Sequence, residues 1–126
     1  MKWGSRGTQN GEFNYPWGIT TDPDKNVFVS DDNGTIQIFN SVGNYVTRWS
    51  YRAYYIAIDN DGNIYLGGGG SVLKLDSSGR IIAKVGKPGD GDGEFSFATG
   101  VAVDQDGNIY VCDESAHRIQ KFLLLD

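Results

Sequence analysis

Short apolar runs separated by turn residues repeat along this chain, and the pattern is fullest over residues 91–122, GDGEFSFATGVAVDQDGNIYVCDESAHRIQKF. A glycine-rich acidic loop leads into Gly100-Val101-Ala102-Val103-Asp104. A tight Gln105-Asp106-Gly107-Asn108 turn, the run Ile109-Tyr110-Val111-Cys112-Asp113 and the segment His117-Arg118-Ile119-Gln120-Lys121-Phe122 follow. Three apolar runs with such turns between them predict an antiparallel meander.

The pattern recurs upstream. Asn10-Gly11-Glu12-Phe13 matches Asp92-Gly93-Glu94-Phe95, and Gly18-Ile19-Thr20-Thr21-Asp22 matches residues 100–104. A middle copy runs through Ile56-Ala57-Ile58-Asp59, Asn63-Ile64-Tyr65-Leu66 and Val72-Leu73-Lys74-Leu75. The aspartates at 22, 59 and 104 set a mean period of about 41 residues, the length of a four-stranded propeller blade. Strand a, innermost, is expected at about 17–22, 55–59 and 100–104, and strand b at about 26–30, 63–66 and 108–112. Strand c is expected at about 35–39, 71–75 and 118–122, and strand d at about 45–49 and 81–85. The fold class is therefore all-β, a β-propeller segment of three blades at about 14–49, 54–86 and 97–126.

The third blade has no fourth strand of its own, whereas Lys2-Trp3-Gly4 matches the ends of the other d strands, Arg48-Trp49-Ser50 and Lys84-Val85-Gly86. Propellers hide their sheet edges by closing a ring of about four to eight blades, so three cannot close alone. Two copies would make six, and a two-fold dimer is the commonest closed symmetry. The expectation is a homodimer in which residues 1–5 of one chain complete the third blade of the other. Lys2, Trp3, Gly4, Phe122, Leu123, Leu124 and Leu125 then lie at ring closure. The three leucines extend strand c or form a tail buried at the junction.

These motifs, Gly-Glu-Phe, Gly-Val-Ala-Val-Asp, Gly-Asn-Ile-Tyr-Val and His-Arg-Ile-Gln-Lys-Phe, resemble NHL repeats. The first copy departs from them with Gly34-Thr35-Ile36, and the middle copy with Gly67, Gly68, Gly69 and Gly70 and no Gly-Glu-Phe loop. The resemblance implies a propeller, usually six-bladed. Some such propellers are lyases that use metal and several histidines, which this sequence lacks, and some bind single-stranded RNA on a basic face.

Composition narrows the function. The chain has 126 residues, 18 glycines and 39% hydrophobic content, which suits one turn-rich β domain or part of one. A net charge of −5 opposes general affinity for nucleic acid, and no apolar run reaches the roughly 20 residues of a membrane span. Residues 1–5 lead into no apolar signal-peptide core. Cys112 has no partner for an internal disulfide and is expected as a small buried residue of its strand.

Asp59-Asn60-Asp61-Gly62-Asn63 and its copy at 104–108 resemble the start of a calcium loop, but glycine is fourth instead of sixth. They read as hairpin turns, with glycine at a positive φ. The acidic loop Asp90-Gly91-Asp92-Gly93-Glu94 could hold a cation, yet its first-copy counterpart lacks both aspartates and a structural crossover fits better. His117, the only histidine, reads as part of the repeat scaffold, and Arg118 as a between-blade contact with Asp113 or Glu114. No catalytic set, metal or cofactor is expected.

What remains is a loop face around the channel, carrying Tyr15, Trp17, Arg52, Tyr54, Phe97 and His117, residue types enriched at binding hot spots. The sequence reads as a non-catalytic propeller module that pairs with itself and offers this face to a protein or small ligand. The alternatives are an excised or engineered fragment of a larger propeller, or a lyase or hydrolase with its site in the channel.

Overall fold

The computed structural model describes residues 1–123, all β with no helix among them. Its strands are β1 (Ser5–Arg6), β2 (Glu12–Phe13), β3 (Pro16–Thr21), β4 (Val27–Asp31), β5 (Ile36–Phe39), β6 (Tyr45–Trp49), β7 (Tyr55–Ile58) and β8 (Ile64–Gly67). They continue with β9 (Val72–Leu75), β10 (Ile81–Val85), β11 (Lys87–Pro88), β12 (Glu94–Phe95), β13 (Ala98–Val103), β14 (Ile109–Asp113) and β15 (Arg118–Phe122).

Three antiparallel meanders result: sheet 1 is β3-β4-β5-β6, sheet 2 is β7-β8-β9-β10 and sheet 3 is β13-β14-β15. The first strands sit side by side, β7 against both β3 and β13. The a, b, c and d strands thus fall where the apolar runs predict, with ends displaced by a residue or two. Among the described residues no strand pairs with the outer edge of β15. Residues 1–4 lie outside any strand, and Leu123 is exposed beyond the end of β15. Leu124 and Leu125 fall outside the described residues.

Each hairpin between the a and b strands is fixed by its aspartate. Asp59 Oδ1 accepts the N–H groups of Asp61 and Asn63, both at 2.9 Å. Its Oδ2 accepts the Asn63 side-chain amide and the Tyr65 hydroxyl. Asp104 repeats all four bonds with Asp106, Asn108 and Tyr110. The glycines of these turns, Gly62 and Gly107, have φ of +83° and +86°. In the first copy Lys25 takes that place at φ +68°. The motif Asp-x-Asp-Gly-Asn-Ile-Tyr is thus a turn that satisfies its own donors, and its first carboxylate is occupied in doing so.

Alternation along the strands divides the apolar residues between two inter-sheet cores. Phe28, Ile36 and Ile38 of sheet 1 meet Ile56, Ile64, Leu66 and Leu75 of sheet 2. The other face of sheet 2, with Ala57, Tyr65 and Val72, meets Ile109 and Val111 of sheet 3 and Phe95. Sheet 2 is covered on both sides. Its glycines are needed because neighbouring segments come so close: a Cβ on Gly67 would stand 2.7 Å from the Thr99 carbonyl oxygen of sheet 3, and one on Gly70 2.6 Å from Pro88 of β11. Gly69 also bonds Ala98 in both directions.

Cys112 corrects the expectation drawn from its strand. It is exposed, although Ser30, at the same position of sheet 1, is fully buried. The strand pattern is the same in both. The difference is that sheet 2 covers Ser30, whose hydroxyl donates to the Tyr54 carbonyl, while no described residue covers that face of sheet 3.

Left-handed backbone at a non-glycine residue costs on the order of 1 kcal/mol. Lys25→Gly should therefore raise stability by about 1 kcal/mol, and Gly107→Ala should lower it by a similar amount. An added Cβ at Gly107 meets nothing within 4 Å, so conformation alone is at stake. Urea unfolding midpoints of the two variants check this, and equal midpoints would refute it.

Candidate functional site

The loops leaving the d strands and those joining b to c meet at one end of the sheets. In sheets 1 and 3 they are held together by a buried carboxylate at the end of strand b. Asp31 accepts N–H groups of Asn14 at 3.0 Å and Asn33 at 3.2 Å, and the Thr35 hydroxyl. Asp113 accepts those of Ser96 at 2.9 Å, Phe97 at 3.0 Å and Ala116 at 3.3 Å. Each of these two strands bulges beside its partner's aspartate, between Pro16 and Ile19 and between Ala98 and Val101. In sheet 2 the matching position is Gly68, and β7 pairs with β8 without a bulge.

A second clamp comes from strand c. The Gln37 side chain accepts from Gly11 N–H at 2.8 Å and donates to the Glu12 carbonyl at 2.7 Å. Gln120 does the same with Gly93 and Glu94, at 2.9 and 2.8 Å. The Gly-Glu-Phe loops are thereby folded back so that β1 and β11 run parallel to β2 and β12. Leu73 stands at the glutamine position of sheet 2, where there is no such loop to bind. Phe95 is fully buried and stacks on Phe122 at 5.5 Å, while Phe13 stacks on Phe39 at 5.9 Å.

Arg118 acts within its own blade, on the loop that leads into sheet 3, and not between blades. Its guanidinium donates to the carbonyls of Gly91 at 2.6 Å and Glu94 at 2.7 Å, and its Nε lies 3.9 Å from Asp113 Oδ2. The ladder dictates this, since Arg118 is the β15 residue directly opposite Asp113.

The loop-face residues divide into a group and outliers. Tyr54 is the centre of the group: Trp17 stands 5.4 Å from it at 76°, and Phe97 5.5 Å from it on another side at 78°. The Trp17 indole N–H donates to Asp32. These three rings, with Tyr55, Thr99 and Glu114, line a cavity of about 380 Å³. Tyr15, 72% exposed at φ +50°, lines a different hollow beside Trp3 and Phe13. Arg52 is exposed and lies over Gly34. His117 is exposed at φ +55° and does not line the cavity. Tyr55, Thr99 and Glu114 are cavity residues that sequence reasoning missed, Glu114 because it was read only as a partner for Arg118. Its signal was its place directly after the repeated buried aspartate.

At the ring-closure residues, Trp3 stacks on Phe39 at 5.6 Å and its ring would meet a Cβ on Gly43 at 2.9 Å. Trp49 makes the matching glycine contact one sheet later, where its ring would meet a Cβ on Gly79 at 2.6 Å. Lys2-Trp3-Gly4 thus sits against sheet 1 as the end of a d strand sits against the following sheet.

Among the described residues no three His, Cys, Asp or Glu side chains converge as metal ligands would. Five of the acids instead have their carboxyls lowered by hydrogen bonds from backbone and side-chain groups. Burial pushes the Asp113 carboxyl up, but the amides of Phe97, Ser96 and Ala116 and the charge of Arg118 outweigh it and bring it below the ordinary value. Asp59 is lowered against burial in the same way, by Asn63, Tyr65 and Asp61. The Asn108 side-chain amide leads the lowering of Asp104, and the Gly91 amide that of Glu94. The Ser78 hydroxyl and the amides of its turn bring Asp76 down to about 2.

Residues 95–122 match the NHL repeat family. Among solved structures, a virginiamycin B lyase from Staphylococcus aureus aligns at 15% identity with a TM-score of 0.58, covering 85% of this chain and 40% of that one. The dihydro-heme d1 dehydrogenase NirN aligns at 14% with a TM-score of 0.69, covering 87% and 26%. A gluconolactonase from Xanthomonas campestris aligns at 19% with a TM-score of 0.63, covering 83% and 37%. No curated protein sequence matches the chain. This chain spans well under half the length of these structures, and at such identities the likeness is one of fold.

Carboxyls lowered by folding stabilise above their unfolded value near pH 4, and the stabilisation is lost as pH falls through the folded values. Stability should thus hold from pH 7 to about 5 and fall between about 4 and 2, and Asp113→Asn should flatten part of that fall. Urea midpoints across this range provide the measurement; a midpoint unchanged down to pH 2 would contradict the assignment. Residues 95–122, which hold the third sheet, match the NHL repeat, and the three meanders side by side have the fold of β-propeller blades.

Proposed function

We propose that this chain is a non-catalytic propeller module, two copies of which close a six-bladed ring with a ligand-binding loop face. One observation carries the self-assembly. Ile119 is 71% exposed on the outer face of sheet 3, while Ile36, its equivalent in sheet 1, is fully buried against sheet 2. On the outer face of sheet 1, Ile19 is 68% exposed, whereas its equivalent Ile56 is 7% exposed. Cys112 and Tyr110 follow the same rule against buried Ser30 and Tyr65. The open face of sheet 3 therefore has the composition of a face that covers a neighbour, and the open face of sheet 1 that of a face to be covered.

Docking sheet 3 of each copy on sheet 1 of the other satisfies both faces twice per ring. The unpaired edge of β15 would take residues 1–5 of the partner as its fourth strand, a device that removes an exposed edge. Such an interface should exceed the roughly 1,000 Å² of a stable association. In support of a binding role, the turn aspartates are engaged in their own hairpins, and the loop face concentrates aromatic side chains around one cavity. A second reading is favoured by the 26–40% of each related chain that this one spans: the open faces would then meet further blades of one longer propeller.

Light scattering after gel filtration should give about twice 13.8 kDa, with a melting temperature that rises with concentration. Ile119→Lys, at a position exposed in the single chain, should give a folded monomer. Cys112 should resist a thiol reagent in the dimer and react in that variant. A well-folded monomer of the unaltered chain would overturn the dimer, and a trimer would make the ring nine-bladed.

A further inference from the structure

We propose that the cavity between Trp17, Tyr54 and Phe97 is a site for an organic cation of the methylated ammonium class. The inference rests on the loop-face reading above and gives that face a ligand chemistry. Three features of the site carry it.

The first is the arrangement of the rings. Trp17 and Phe97 each stand nearly perpendicular to Tyr54, at 76° and 78°, with centroids 5.4 and 5.5 Å away. Both rings pack edge-to-face with Tyr54, and all three, with Tyr55, border the same cavity. A cation within about 6 Å of an aromatic face is attracted by the negative potential above the ring. A sugar, by contrast, is held by one flat ring and a fringe of hydrogen-bonding side chains.

The second feature is charge. Glu114 lines the cavity, and the Asp32 carboxylate lies at its margin, bonded to the Trp17 indole. No lysine or arginine lines it, and the chain as a whole carries a net charge of −5. An aromatic space with an acidic margin favours a cation too bulky and too weakly hydrated to prefer water.

The third is rigidity. The Phe97 N–H is held by buried Asp113, and its carbonyl by the Glu114 N–H at 3.0 Å. The Tyr54 N–H bonds the Gly67 carbonyl at 2.8 Å, and its own carbonyl accepts from Ser30. The cage walls are therefore set before any ligand arrives, which reduces the ordering cost of binding. The walls come from all three sheets of one chain, so ring closure is not needed to build the site.

The test uses choline as the cation and 3,3-dimethylbutan-1-ol as its uncharged isostere, with binding followed by NMR shifts of the indole N–H signals. The Trp17 signal is identified by its loss in Trp17→Phe. Choline should shift it and saturate in the millimolar range, at least tenfold tighter than the isostere. Glu114→Gln should weaken choline several-fold and leave the isostere unchanged, and added salt should weaken choline alone. Equal binding of both probes would overturn the cation assignment while leaving a ligand-binding loop face intact. Binding of neither to the folded chain at 50 mM would overturn both. Shifts at Trp3 or Trp49 in place of Trp17 would move the site elsewhere and refute this one.

Discussion

A twisted β-sheet that is apolar on both faces needs a neighbour on each side, and the rest of this structure depends on that requirement. Sheet 2 meets it within the chain: Ile56, Ile64 and Leu66 face one neighbour, and Ala57, Tyr65 and Val72 the other. Sheets 1 and 3 meet it on one side only. The same strand pattern that buries Ile36 leaves Ile119 in solvent, so exposure here follows a residue's place in the row and not its identity. Hydrophobic burial rises with the apolar area removed from water, and the open faces are where this chain has area still to lose.

The strands were legible in the sequence because each meander carries its own punctuation. Asp104, Gly107 and Asn108 mark a turn, and the alternation on either side sets which residues face a core. The clamps were not legible, because they join residues 25 to 27 positions apart. Gln37 and Gln120 recur at one repeat position, and Leu73 replaces them where the Gly-Glu-Phe loop is absent, but nothing in their spacing says that an amide reaches a loop. The exposure of Cys112 was beyond sequence reasoning for a different reason. It depends on which sheet stands beside it, a property no strand pattern contains.

At the loop face, the aromatic residue types were visible, but their grouping depends on three-dimensional offsets. Trp17 and Tyr54 occupy the same repeat position in adjacent sheets, so they come together by the repeat itself. Phe97 joins them from one sheet further, its N–H held by Asp113. Tyr15, its nominal counterpart, has no such neighbour and turns outward. The buried carboxylate at the end of strand b thus positions the ring that completes the cavity.

The self-contained Asp-Gly-Asn hairpin also has a bearing on how the chain folds. Its hydrogen bonds span two to six residues, so the search needed to make them is short. The glutamine clamps then close loops of under thirty residues, and the logarithmic cost of loop closure keeps that step small. Each meander can therefore nucleate locally, and it becomes stable on stacking, since no single repeat buries its apolar faces alone. Folding in such a chain can start at any repeat and spread by stacking.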